Sequence, residues 1–144
     1  MPSAKDLLAA KGWGGVVTVH PDVTVLEAAR VMNERRVGSL LVIENDAVAG
    51  ILTEKDVVYR VVAPGKDPAA VHVRDAMTKD VICIQPDRPL EEIEAIMRQE
   101  RVRHVPVVDG KALLGLLSIG DVTAWHAAKN AQEVEHLTAY IRGW

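Results

Sequence analysis

Gly50-Ile51-Leu52-Thr53-Glu54-Lys55-Asp56 returns 65 residues later as Gly115-Leu116-Leu117-Ser118-Ile119-Gly120-Asp121. Each stretch runs from an apolar, strand-like segment into Thr/Ser-x-x-Asp. That spacing marks a helix start. The hydroxyl accepts from an amide of the first turn, and the carboxylate three residues on accepts from the cap's own amide. Working outward, the same offset holds without a gap over residues 16–57 and 81–122. Val16-Val17-Thr18-Val19-His20-Pro21-Asp22 matches Val81-Ile82-Cys83-Ile84-Gln85-Pro86-Asp87. Val37-Gly38-Ser39-Leu40-Leu41-Val42-Ile43 matches Val102-Arg103-His104-Val105-Pro106-Val107-Val108. A unit this long exceeds the common solenoid repeats. Two copies imply two subdomains about a pseudo-twofold axis.

Each copy reads strand, helix, strand, strand, helix. In the first, residues 16–19 form a β-branched run closed by His20-Pro21-Asp22. Thr24 then caps a helix to about Arg35, with Glu27 completing the box. Ser39–Glu44 is a short apolar run typical of a buried strand. Asn45-Asp46 turns it back into residues 48–52, and Thr53 opens a helix through about Val62. The second copy predicts a strand at 81–84 and a helix at 89–99 with Pro89 near its start. A hairpin of 105–108 and 112–117 follows around Asp109-Gly110, and then a helix opened by Ser118.

Between the copies, Ala63-Pro64-Gly65-Lys66-Asp67-Pro68 is rich in breakers. Residues 73–78 form a lead-in to the second copy, and Asp6-Leu7-Leu8 holds a similar place before the first. Residues 122–142 contain no Gly or Pro, which predicts one long helix closed by Gly143. The expected organisation is a first motif over 1–62 (core 16–57), a linker over 63–72, a second motif over 73–126 (core 81–122) and a helical tail over 127–144.

Composition narrows the function. The chain has 144 residues, of which 49% are apolar, and no Phe. Val, Leu, Ile and Ala must fill the core. A net charge of −3 argues against a nucleic-acid partner. Cys83 is the only cysteine, so no internal disulfide is possible and a reducing compartment is expected. The first residues lack a signal peptide's basic-then-apolar order, and the apolar runs are too short to span a bilayer. A cytoplasmic protein with no membrane partner is the expectation. The five histidines (His20, His72, His104, His126, His136) show no zinc spacing. No Cys-x-x-Cys, Ser-His-Asp order, Gly-x-Ser-x-Gly elbow or Walker lysine occurs. The sequence therefore nominates no catalytic residue, metal or catalytic cofactor, and an enzyme is not expected.

The chain resembles a tandem CBS-domain pair, or Bateman module. The resemblance rests on the entry before Pro-Asp, the helix Glu27-Ala28-Ala29-Arg30-Val31-Met32, the strand Arg103-His104-Val105-Pro106-Val107-Val108 and the Gly-h-h-Thr/Ser-x-x-Asp ending of each copy. It covers roughly residues 3–125. It implies an α/β (α+β) fold of two β-α-β-β-α subdomains with sheets packed face to face. It also implies two clefts between the motifs that bind adenine nucleotides, and a homodimer.

Carried onto this chain, Asp121 and Asp56 become ribose ligands. An acceptor-only carboxylate suits two hydroxyl donors. Ser118 and Thr53, at helix starts with free amides, become phosphate ligands. Arg103 and His104 join Ser118 at the phosphate, where an arginine fork fits the oxygens. Copy one has Gly38 and Ser39 at those places. Lys55 and Arg60 are its candidate substitutes, or plain surface charges. Val17, Thr18, Ser39, Ile82, Cys83 and Val105 are candidates for a base slot, although such strand residues are more often core.

The tail residues Val122, Trp125, Val134, Leu137, Tyr140 and Ile141 form an apolar stripe suited to core packing or to a dimer contact. Trp13, Trp125 and Trp144 all fall outside the repeat cores or at their edge. The expected function is a non-catalytic regulatory module that binds AMP, with NAD(H) or ATP as alternatives, and signals to an unidentified target protein by conformational change. The other reading is a protein-interaction regulator of an enzyme, such as a redox protein, with nucleotide only structural.

Overall fold

The structure, a computed structural model, describes residues 2–12 and 16–142, without the Tyr140 side chain. Trp13, Trp144 and the expected Gly143 cap lie outside the described residues. The first elements are α1 (Ala4–Lys11), β1 (Thr18–Val19), α2 (Val25–Arg35), β2 (Ser39–Glu44), β3 (Ala47–Thr53) and α3 (Glu54–Val57), which runs on as a π turn over Val58–Val62. Then come α4 (Val73–Ala76), α5 (Leu90–Gln99), β4 (His104–Asp109), β5 (Ala112–Ser118) and α6 (Ile119–Arg142). This is the expected mixture of helices and small sheets.

The hairpins repeat residue for residue. Ser39 pairs with Thr53 and His104 with Ser118, and the register shifts between Val42 and Ile43 just as it does between Val107 and Val108. The turns differ in chemistry. Asn45 and Asp46 both take positive φ (53° and 61°), as a type I′ turn demands, whereas Gly110 alone does so in the second hairpin. Each long helix of the repeat ends on a left-handed arginine at the same place, Arg36 (φ 54°) and Arg101 (φ 55°). The next amide then bonds back into the helix, Val37 to the Met32 carbonyl and Val102 to that of Met97, both at 3.1 Å.

The chain forms two compact units, Gly15–Ile82 and a second joining Met1–Gly14 to Cys83–Trp144. These units depart from the expected segmentation, because the lead-ins are exchanged. α4, which precedes the second motif, folds with the first. α1, which precedes the first motif, folds with the second.

Backbone hydrogen bonds explain the exchange. In the first unit, Val25 N–H donates to the Val71 carbonyl at 2.8 Å and Val73 N–H to that of Val23 at 2.9 Å. In the second, Leu90 N–H donates to the Pro2 carbonyl and Ala4 N–H to that of Arg88, both at 2.9 Å. Each lead-in thus joins the entrance of a motif helix as a strand would. Packing repeats too. Met77 lies over Gly50 and Leu8 over Gly115 so closely that a Cβ at either glycine would stand 2.7 or 2.6 Å from them. The core of the first unit (Val25, Ala28, Met32, Leu40, Val42, Leu52) recurs in the second as Leu90, Ile93, Met97, Val105, Val107 and Leu117.

Three local expectations are corrected. The strand expected at 81–84 does not form; only Ile84 bridges to Val107. In the first unit, Leu41 N–H donates to the Val17 carbonyl at 3.1 Å and helps hold β1. The residue at that place in the second unit is Pro106, which has no N–H to give. The strand expected at 16–19 is shortened to Thr18–Val19. Pro89 caps α5 in extended conformation rather than occupying its first turn, because Leu90 N–H is bonded to the lead-in.

Candidate functional site

The two repeated helix starts have one frame. Thr53 N–H donates to Asp56 Oδ2 at 2.9 Å and Asp56 N–H to Thr53 Oγ1 at 3.3 Å. Ser118 N–H donates to Asp121 Oδ2 at 2.8 Å and Asp121 N–H to Ser118 Oγ at 3.1 Å. The first helical residue then donates to the residue just before the first strand of the hairpin, Glu54 to the Gly38 carbonyl at 3.1 Å and Ile119 to the Arg103 carbonyl at 2.8 Å. This bond ties the Arg103 backbone to the start of α6. The strand register sets His104 beside Ser118 and Ser39 beside Thr53.

Around Asp56 the local valences are filled. The residue is only 8% exposed. Its Oδ2 also accepts from Thr53 Oγ1 at 3.1 Å. Its Oδ1 accepts from Thr78 Oγ1 at 3.3 Å and lies 3.8 Å from Arg60 Nε. Arg60 is drawn away from the phosphate role considered for it. Its Nη1 donates to the carbonyls of Ala76 and Met77 at 3.2 and 2.8 Å. The cause is the shortness of α4, whose last carbonyls have no further turn to satisfy them. Trp125 stands at the equivalent place in the second unit. There α1 continues for another turn, so no such donor is needed. Lys55 is exposed on α3.

Around Asp121 one oxygen is left over. Its side chain is 20% exposed. Oδ2 accepts from Ser118 N–H and from Lys11 Nζ at 2.9 Å, while no described residue donates to Oδ1. Lys11 also donates to the Leu116 carbonyl at 2.8 Å. Burial pushes the Asp121 carboxyl up, but the Lys11 ammonium and the Ser118 bonds outweigh it and hold it below the usual aspartate value. His104 is held below the usual histidine value, first by burial and then by the positive charge of Lys11; Arg103 adds to this and Asp121 opposes it. Lys11, Arg103, His104 and Asp121 therefore share one electrostatic neighbourhood.

Lys11 was not among the residues nominated from sequence. It lies 110 positions from Asp121, in a lead-in assigned to the other motif. Beside Asp121 a cavity of about 590 Å³ opens along α1 and α6, lined by Leu7, Ala10, Lys11, Ala124, Trp125 and Ala128 among others. Trp125 Nε1 is buried there without a hydrogen-bond partner.

The candidates for a base slot differ in burial. Val105 is fully buried in the core of its own unit, so its side chain is not available to a ligand. Val17 packs against the core of the first unit. Ser39 and Ile82 are half-buried, and Thr18 and Cys83 exposed.

Comparison with known proteins accounts for the repeated frame. The family model of the CBS domain matches residues 13–63 and 73–127. The chain belongs to the CBS-domain family. The mitochondrial CBS domain-containing protein CBSX3 of Arabidopsis thaliana is 32% identical over 96% of this chain and 71% of its own length. Among solved structures, the CBS-domain protein ATU1752 of Agrobacterium tumefaciens is 40% identical, with a TM-score of 0.79 over 87% of this chain and 99% of that one. A protein with CBS domains from Burkholderia ambifaria is 35% identical, with a TM-score of 0.83 over 88% and 95%. The two matched segments agree with the repeat read from sequence. Residues 73–82, matched with the second segment, belong to the first compact unit, and α1, which precedes both matched segments, belongs to the second.

Proposed function

We propose that this CBS pair is a non-catalytic regulatory module that binds an adenine nucleotide at the Ser118–Asp121 helix start, AMP first and NAD(H) or ATP next. The observation that carries this reading is the open Oδ1 of Asp121, on a partly exposed carboxylate at the head of a 24-residue helix. A ribose hydroxyl can donate to that oxygen without displacing the cap. The positive end of the α6 dipole and the Ser118 hydroxyl favour a phosphate nearby, and the Arg103 guanidinium can meet it as a fork.

Asp56 is the weaker ribose site. A ligand there must take Oδ1 from Thr78 and disturb Arg60, while Thr53 and Lys55 offer less positive charge than the second site. The CBS pair of MJ0100, which shares the fold at 23% identity, was solved in complex with 5′-methylthioadenosine and S-adenosyl-L-methionine. Adenosine chemistry thus occurs on this fold. Signalling to a target protein would follow from the ligand's different affinity for two states of the module, and only to that extent.

A second reading, protein interaction, draws on exposed apolar side chains. Val134, Leu137 and Ile141 follow one another along one side of α6 and are 61–70% exposed. A hexameric CBS-CP12 protein from cyanobacteria is 33% identical to this chain. Homodimerisation or docking on a target enzyme through that stripe fits these facts. Within the described residues, no helix is long and apolar enough to cross a membrane.

Thermal melting with AMP, ATP, NAD and adenosine tests the nucleotide reading. A ligand at 100 times its Kd adds about 2.7 kcal/mol, so the melting temperature should rise by several degrees. No shift with any of them at millimolar concentration would leave protein interaction as the better reading.

A further inference from the structure

Lys11 is the feature of the second helix start that the nucleotide reading leaves unused. Its ammonium divides its bonds between the Asp121 carboxylate at 2.9 Å and the Leu116 carbonyl at 2.8 Å, and about a third of the side chain is exposed. It occupies the last turn of α1, a lead-in held to the second unit by backbone bonds from Ala4 and Lys5 to the carbonyls of Arg88 and Pro86. In the first unit the cation beside the carboxylate is Arg60, 3.8 Å from Asp56 on the same helical segment, and not a residue of the lead-in. There the lead-in offers Asp56 only the Thr78 hydroxyl.

We propose that Lys11 makes the Ser118–Asp121 site select phosphate-bearing adenosine ligands over uncharged ones, by competing for the Asp121 carboxylate until an anion engages it. The proposal rests on the nucleotide reading above. Hydroxyl groups that donate to Asp121 weaken its hold on the ammonium, because one carboxylate must serve both. A bare nucleoside returns nothing to the lysine, so whatever that ion pair loses when the carboxylate also accepts hydroxyl donors opposes its binding. A nucleotide supplies a phosphate, which a flexible ammonium on a four-carbon stem can follow. His104 starts β4, Arg103 precedes it and both share the same field, so a released Lys11 adds a third basic group to the anion site. The residue thus discriminates twice, against ligands that lack a phosphate and in favour of those that have one.

Calorimetric titration of the full chain with AMP and with adenosine tests this, comparing wild type, Lys11→Met and Lys11→Arg. Lys11→Met should reduce the ratio of AMP to adenosine affinity by about tenfold, the effect expected from losing one charge-assisted contact. AMP should weaken and adenosine should hold or tighten. Lys11→Arg should keep most of the ratio. Because each ratio is taken within one preparation, any loss of folded protein cancels. A ratio unchanged in Lys11→Met, with both affinities moving together, would reduce Lys11 to a structural ion pair and overturn the proposal. Wild type that binds neither ligand would instead remove the nucleotide reading itself, and this proposal with it.

Discussion

The two helix starts of this molecule have the same frame and different contents. Thr53–Asp56 and Ser118–Asp121 agree in strand register, in the reciprocal cap and in the bond from the first helical amide to the residue before the strand. They differ in what reaches the carboxylate from the lead-in. A short α4 leaves carbonyls that Arg60 must satisfy, and Thr78 fills the remaining oxygen of Asp56. A longer α1 delivers Lys11 to Asp121, leaving one oxygen open. One turn of helix in a segment outside each repeat core therefore separates a closed start from an open one. The backbone frame repeats, and the difference lies in the elements packed on it.

The sharpest way to break this comparison is at the glycines beneath the lead-ins. A Cβ at Gly50 would stand 2.7 Å from the Thr78 carbonyl oxygen as well as from Met77 Sδ. At Gly115 the nearest atoms all belong to the Leu8 side chain, whose end can rotate. Overpacking against backbone is the more expensive of the two. Gly50→Ala should destabilise by about 3 kcal/mol and Gly115→Ala by about 1 kcal/mol, read from the midpoints of urea unfolding. Equal losses would mean that the two lead-ins are seated alike after all.

Removing the carboxylates should show the same asymmetry on a smaller scale. Asp56→Ala removes a buried carboxylate that accepts from the Thr53 amide and from the Thr53 and Thr78 hydroxyls, although Thr78 and Arg60 are themselves exposed. A loss of about 2 kcal/mol is expected. Asp121→Ala removes a cap whose lysine partner can return to water, for about 1 kcal/mol. Nucleotide binding should sort them the other way, with Asp121→Ala suffering more. If Asp56→Ala is the variant that abolishes AMP binding in calorimetry, the open carboxylate has been assigned to the wrong copy.

Much of this was written in the chain. The constant offset fixed both hairpins, the long motif helices, both Thr/Ser-x-x-Asp caps and the family. What escaped the sequence was long-range. The missing strand at Ile84 depends on Pro106 lying where Leu41 donates a ladder bond, which a local β-branched run cannot reveal. The exchange of α1 and α4 depends on backbone pairing between segments that no side-chain pattern labels. Lys11 was invisible for the same reason, since the helix that carries it precedes the other motif. Arg60 looked like a free cation because its partners are backbone carbonyls, which sequence does not mark. Val105 was a fair candidate for the base slot by position, yet strand alternation put its side chain in the core.

The smallest effect concerns pH and separates the open start from the closed one by its histidine. Copy one has Ser39 where copy two has His104, so only the second unit should titrate here near neutrality. Burial, Lys11 and Arg103 lower the folded value of His104, with Asp121 in partial opposition. The unfolded chain, with an ordinary value near 6.5, then binds the proton more readily than the folded one. Stability from this group is full above the unfolded value and is lost as pH falls through 6.5 toward the folded value. One proton allows a slope of at most about 1.4 kcal/mol per pH unit, and His104→Gln should flatten the unfolding midpoint between pH 8 and pH 5.5. A phosphate bound beside Lys11, Arg103 and His104 should reverse the sign, because it favours the protonated ring. AMP binding near pH 6.5 should therefore draw a proton onto His104, whereas adenosine should not. The nucleotide's own phosphate moves the opposite way, since cationic neighbours favour its dianion, so the difference between wild type and His104→Gln isolates the ring. Titration in two buffers of unlike ionisation enthalpy measures that difference. Identical proton uptake in wild type and His104→Gln would place the phosphate out of reach of the ring and leave Arg103 and Lys11 to hold it.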